Sequence, residues 1–158
     1  MRQVVEVHLL DVDLPAEPQS ASRARRAVRE SLQGIAVDRD AIGVVVSEAV
    51  TNAVLHAYRH RDRPGDLHVA VRLHDEDVEV TVTDGGVGLQ PRADSPGIGL
   101  GMPLIAGLAD HVVIADRDPV VRVTARFALM GAAGPHGRPG ARTVGAAPHG
   151  ARPACSPS

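Results

Sequence analysis

The chain contains no lysine: all 17 of its basic residues are arginine. A P-loop nucleotide site needs its lysine, and so does a eukaryotic-type protein kinase. Schiff-base chemistry has no amine to use. All three classes are excluded. Aromatic residues are scarce too, at 1%, with one Tyr, one Phe and no Trp. A base-stacking surface of the RNA-recognition kind is therefore not available. A net charge of −2 gives no electrostatic case for direct contact with nucleic acid. The single cysteine, Cys155, allows no intrachain disulfide and no cysteine-based zinc site. No apolar run approaches the length that spans a bilayer. The opening MRQVVEVHLLDVDLP has charges within its apolar run and no signal-peptide cleavage pattern. A cytoplasmic protein without a membrane segment is the expectation.

What is present suffices for one domain. The chain has 158 residues, 44% of them hydrophobic, so the core must be built from Val, Leu, Ile and Ala. Val4 to Leu10 reads as a strand, and Leu14 to Ser20 as a turn with two prolines. Ser20 or Ser22 can cap a helix running through ASRARRAVRESLQGI, with Gly34 as its stop. Asp38 or Asp40 caps a second helix ending near Tyr58. Two alternating runs, Leu67 to Leu73 and Val78 to Thr83, form a hairpin around Asp75–Asp77. Met102 to Ala109 reads as a helix with Pro103 in its first turn. His111 to Ala115 and Val120 to Leu129 make a second hairpin. The order predicts an α+β, two-layer sandwich: a mixed, mostly antiparallel sheet with helices on one face. The folded domain spans residues 1–130. Residues 131–158 are rich in Gly, Pro, Ala and Arg, lack acidic residues and have only Val144 as a large aliphatic. That tail is expected to be disordered, because it buries too little apolar surface to offset its chain entropy.

Three stretches carry chemistry. On the second helix Glu48, Asn52 and His56 recur every fourth residue and share one face, beside an apolar stripe of Val45, Val46, Ala49, Val50, Ala53 and Val54. At a strand end, Asp84-Gly85-Gly86-Val87-Gly88 offers a carboxylate to an exocyclic amine and lets the backbone approach a flat ring. Gly97-Ile98-Gly99-Leu100-Gly101 then leads into a helix N-terminus, where free N–H groups suit phosphate. Each signal is weak alone. Together they describe a nucleotide pocket: Asp84 on the base, Gly97 to Gly101 on the phosphates, Asn52 offering its amide oxygen to Mg, and Glu48 placed to take a proton from an attacking hydroxyl.

SEAVTNAVLHAY, TDGGVG and GIGLGMPLIAGLAD resemble the three nucleotide-binding boxes of the GHKL (histidine-kinase-like) ATPase superfamily, and most closely its anti-sigma-factor serine/threonine kinases. The resemblance covers roughly Val4 to Leu129. It implies a Bergerat fold with ATP and Mg bound beneath a lid at about Leu89 to Pro96, in which Arg92 is the only arginine. It implies two partners, an RNA polymerase sigma factor that is sequestered and a STAS-domain anti-anti-sigma protein that is phosphorylated on serine, and a homodimer. By position Glu48 matches the general base, Asn52 the Mg ligand and Asp84 the adenine-reading aspartate. Gly86, Gly88, Gly97, Gly99, Leu100 and Gly101 match the nucleotide loops. His56 falls in the first box, with a supporting role near the phosphates and a structural role as equal alternatives. Arg23, Arg25, Arg26 and Arg29 make the first helix positive, on the element that lies at the family's partner surface. The pattern departs at the last strand. The expected Gly-Thr is absent from Asp118–Thr124, and Thr124 is expected to be displaced from the adenine-side position.

A non-catalytic ATP-sensing module of the same superfamily is the alternative. A sensor histidine kinase fits less well, since no membrane segment, dimerisation hairpin or long lid is found.

Overall fold

The structure, a computed structural model, describes residues 6–58, 65–84, 98–117, 120–131 and 144–146. Its elements in order are β1 (Val7–Pro15), α1 (Pro18–Ser31), α2 (Arg39–Tyr58), β2 (Asp66–Leu73), β3 (Asp77–Asp84), α3 (Ile98–Leu108), β4 (His111–Arg117), β5 (Val120–Ala128) and β6 (Val144–Ala146). The sheet order is β1-β2-β3-β5-β4-β6. The first five strands pair antiparallel, and β6 runs parallel to β4. This is the expected two-layer α+β sandwich. Within the stretch expected to be a disordered tail, Val144–Ala146 form that short edge strand, with Val144 opposite Val112. The rest of the tail beyond Gly131 lies outside the described residues.

Strand parity divides the sheet into two chemistries. On the helix-covered face Leu67, Val69 and Val71 of β2 stand across from Asp84, Val82 and Val80 of β3. Those in turn face Val121, Val123 and Ala125 of β5. Leu32 of the α1–α2 turn, Ile42 of α2, Leu67 and Ile105 of α3 are fully buried in the core between the layers, and Phe127 joins them. The opposite face is polar. Arg126 gives Glu79 Oε2 two hydrogen bonds, at 3.0 Å from Nε and 2.6 Å from Nη2. Arg72 reaches the other oxygen of Glu79 at 3.5 Å. Its Nε lies 3.1 Å from Glu6 Oε1, but that atom makes no aligned hydrogen bond. His68 sits between Asp13 at 2.9 Å and Asp11 at 3.5 Å.

Several boundaries differ from the sequence reading, each for a local reason. β1 has a register irregularity between His8 and Leu10 and then continues through Asp11 and Asp13 to Pro15, because both aspartates fall on the polar face of the alternating stretch from Leu10. Neither Ser20 nor Ser22 caps α1. The helix starts at Pro18, whose missing N–H would be unpaired in the first turn anyway, and Glu17 occupies the N-cap without a side-chain bond. Ser20 is buried and donates to the Pro15 carbonyl at 2.6 Å, while Ser22 donates back to Gln19 at 2.9 Å. Gly34 does end the turn after α1, with φ at +78°. Asp38 caps α2, accepting from the Ala41 N–H at 2.9 Å. Asp40 instead pairs with Arg29 at 2.6 Å. α3 begins at Ile98, so Pro103 is its sixth residue and not in the first turn. There it forfeits the hydrogen bond to the Gly99 carbonyl.

Candidate functional site

α2 packs on α3 along one side and on β3 and β5 beneath. The elements carrying Glu48, Asn52, Asp84 and the glycine-led helix start are therefore neighbours in space. All six apolar positions read from the sequence, Val45, Val46, Ala49, Val50, Ala53 and Val54, are buried. That fixes the rotation of α2 and leaves Glu48 and Asn52 half-buried at the margin of the apolar stripe. His56 lies in the last turn of α2; its side chain lies outside the described residues.

Asp84 is the last residue of β3 and is only 5% exposed. Its cross-strand neighbours are Leu67 on one side and Val121 on the other. A carboxylate buried between two aliphatic side chains is costly without compensating polar contact. Asp84 and Asn52 each take part in a polar interaction. An acceptor held at a strand end against an apolar floor suits the amine edge of a flat heterocycle.

The helix start differs usefully from the expectation. Gly99, Leu100 and Gly101 are not a loop before a helix but its first turn. Their N–H groups fall among those that lack an intrahelical acceptor, and they carry the positive end of the helix dipole. The donor set thus fits phosphate more directly than a free loop would. Gly86, Gly88 and Gly97, with the lid and Arg92, lie outside the described residues.

Thr124 is more than displaced. It pairs with Thr81 on the polar face, whereas Asp84 points to the helix-covered face. The strand position next to Asp84 belongs to Val121, which brings no hydroxyl.

A second feature lies on the α1–α2 junction. An open cleft of ≈ 840 Å³ is lined by Arg23, Arg25, Arg26, Arg29 and Arg39 with Glu30 among them. Four of these arginines are legible in the sequence of α1. Arg39 joins them only because α1 and α2 pack side by side. Gly43 of α2 permits that approach: a Cβ there would meet Arg25 Cγ at 3.3 Å.

The histidine kinase-like ATPase domain family matches residues 14–127. The chain belongs to this family. Within it the likeness runs to the anti-sigma-factor serine kinases. An anti-sigma F factor of Bacillus velezensis is 31% identical over 136 residues, covering 77% of this chain and 90% of that protein. A serine-protein kinase RsbW of Staphylococcus epidermidis is 28% identical, covering 66% of this chain and 77% of that protein. An anti-sigma F factor of Pasteuria penetrans is 52% identical over a shorter span, 30% of this chain and 32% of that protein. A crystal structure of the RsbU and RsbW domains of a Mycobacterium tuberculosis protein shares the fold, with a TM-score of 0.55 over 75% of this chain, 33% of that chain and 24% identity. As a member of this histidine kinase-like branch the chain is built to use ATP. Among the described residues no helix is long and apolar enough to cross a membrane.

Proposed function

We propose that this chain is an ATP-dependent serine protein kinase that also sequesters a sigma factor, and that its phosphoryl acceptor is a STAS-domain anti-anti-sigma protein. The single observation that carries the reading is the placement of Glu48 and Asn52 one turn apart and half-buried on α2, a helix packed on β3, the strand that ends in the buried Asp84. ATP binding alone needs no carboxylate at the position of Glu48, whereas transfer to a hydroxyl does.

Mg would sit on the Asn52 amide oxygen and on the phosphates, and when bound it would offset phosphate charge in a site that has no lysine. The residues present fit that role: Asn52 is half-buried and lies on the same helix face as Glu48. Asp84 holds the adenine amine. The first-turn N–H groups of Gly99, Leu100 and Gly101 hold phosphate oxygens. Glu48 accepts the proton of the acceptor serine. A bond forms between the serine oxygen and the γ-phosphorus, the bond to the β-phosphate oxygen breaks, and ADP leaves.

The arginine cleft supports the binding half of the reading. Five exposed guanidinium groups beside few acids form a surface for an acidic partner segment, since arginine pairs with carboxylates in two-pronged geometry.

The test is incubation with labelled ATP, Mg and a STAS-domain protein from the same genome. Label should appear on a serine of that protein. Glu48→Ala should keep ATP affinity and lose transfer by about 10²- to 10⁴-fold. Asp84→Asn should weaken ATP binding itself. If wild-type protein binds ATP and a sigma factor but transfers nothing, the non-catalytic ATP-sensing module is the correct reading.

A further inference from the structure

Glu48 does not stand alone on the exposed side of α2. Val44, Glu48, Thr51 and Leu55 are spaced i, i+4, i+7 and i+11, which places them on one stripe of a helix. Val44 is 39% exposed and Leu55 46% exposed, and Thr51 is exposed between them. These are large aliphatics on a helix that buries its other valines almost completely. The stripe carries a single charge. From Ala41 to Tyr58 no arginine, aspartate or second glutamate occurs, so Glu48 is the only acid. The neighbouring hydroxyl of Ser47 is turned onto its own helix, donating to the Gly43 carbonyl at 2.8 Å. Glu48 is thus an isolated carboxylate with Val44 one turn before it, Thr51 one turn after it and Leu55 a turn beyond.

We propose that this stripe seats the acceptor segment of the protein substrate, with Val44 and Leu55 acting as specificity residues on either side of Glu48. The inference rests on the kinase reading above. Distances along the helix fit it. Val44 lies about 6 Å from Glu48 along the axis and Leu55 about 10 Å, at roughly 1.5 Å per residue. An extended segment advances about 3.3 Å per residue. With the acceptor hydroxyl at Glu48, the residue two positions away reaches Val44, and on the other flank the fourth, on the same side of the chain, lies within about 3 Å of the level of Leu55. The residue two positions away shares the side of the extended chain that carries the acceptor hydroxyl, so both can face α2 together. The stripe therefore selects a serine with an uncharged, apolar residue on each flank. A charged residue there would be desolvated against Val44 or Leu55 without a partner.

The test uses the full chain, ATP with Mg, and the STAS-domain protein from the same genome. KM for that protein and ATP affinity are measured separately for wild type and for the variant carrying both Val44→Asn and Leu55→Asn. The double variant should raise KM for the protein about tenfold or more, with ATP affinity unchanged within about twofold. Val44→Ile with Leu55→Met, which keep the apolar surface, should hold KM near wild type. The serine that takes the label, mapped by mass spectrometry, should have apolar residues two to four positions away. An unchanged KM in the double Asn variant overturns the proposal. So does a loss of ATP affinity that tracks the rise in KM, which would make the stripe part of the nucleotide site. If wild-type protein labels no serine at all, the kinase reading has failed, which is distinct from labelling that ignores Val44 and Leu55.

Discussion

Thr124 and Asp84 stand on opposite faces of one sheet. They lie on adjacent strands, yet Asp84 faces the helices across from Val121, and Thr124 faces away across from Thr81. The two are also three residues out of register, about 10 Å along the strand. No rotamer change can bring the hydroxyl of Thr124 to the carboxylate of Asp84. A hydroxyl from β5 beside Asp84 would have to come from position 121.

That relationship gives the first prediction. Val121→Thr places a hydroxyl next to Asp84 at nearly constant volume. ATP affinity should rise severalfold by isothermal titration calorimetry. The apo protein should lose about 1 kcal/mol of stability, because Val121 is 9% exposed and its new hydroxyl is poorly hydrated without ligand. If affinity stays flat, the nucleotide's amine edge does not approach this strand pair.

The start of α2 gives a contrast between two aspartates. Asp38→Ala removes the hydrogen bond to the Ala41 N–H and should cost about 1 kcal/mol. Asp40→Ala removes only an ion pair with Arg29 in which the side chains are 81% and 50% exposed. Its cost should stay below about 0.5 kcal/mol and shrink further in high salt. Urea midpoints at two salt concentrations separate the two.

Gly43 governs how closely α1 and α2 approach. Gly43→Ala gains helix propensity, on the order of 1 kcal/mol, and meets only the flexible stems of exposed Arg25 and Arg29, of which Arg25 must shift by tenths of an ångström. Stability should change by less than about 0.5 kcal/mol. Gly43→Leu cannot be accommodated that way and should cost about 1–3 kcal/mol. It should also weaken capture of an acidic partner, since Arg25 and Arg29 would be displaced together. Thermal melting and partner pull-down report the two effects.

Arg126 gives a pH prediction. The hydrogen bond to Glu79 holds its guanidinium above the ordinary arginine range; partial burial opposes this, and the charges of Glu79 and Asp77 add to it. A base whose pKa is raised on folding contributes stability that is complete below its unfolded pKa and is lost only as pH climbs past the folded one. The contribution should therefore be constant from about pH 6 to about pH 10. Arg126→Met should lose about 1 kcal/mol or less, discounted because the side chain is 44% exposed, and by the same amount at both ends of that range. Urea melts at the two pH values check it.

The parts of the fold that depend on short-range pattern were legible in the sequence. The apolar positions of α2 from Val45 to Val54 follow a helical period over about three turns, and every one read as core is buried. The hairpin of β2 and β3 was marked by alternation around a polar turn. What was hidden depends on context beyond the local run. Asp11 and Asp13 fall beyond the strand read as ending at Leu10, until β2 supplies His68 to pair with them. The glycines before Met102 read as loop, although a helix's first turn tolerates them because its N–H groups have no internal partner to lose. The candidate site shows the same division. Glu48, Asn52 and Asp84 are candidates that spacing and strand-end position single out. The face on which Thr124 falls needed the strand register, and Arg39 joined the arginine cleft only through helix packing.

The order of the sheet also bears on how the molecule is made. β5 is the last strand of the antiparallel set to be synthesised, yet it sits between β3 and β4 at the centre of the sheet. Until the ribosome has released Val120–Ala128, β3 presents an unpaired edge, and Asp84 lacks the wall that Val121 forms beside it. Folding of the nascent chain must wait for that final insertion, a long-range pairing of the kind that sets slow folding rates. A ribosome stalled before Val120 would display an exposed, sticky strand, with Asp84 lacking one of its two cross-strand neighbours.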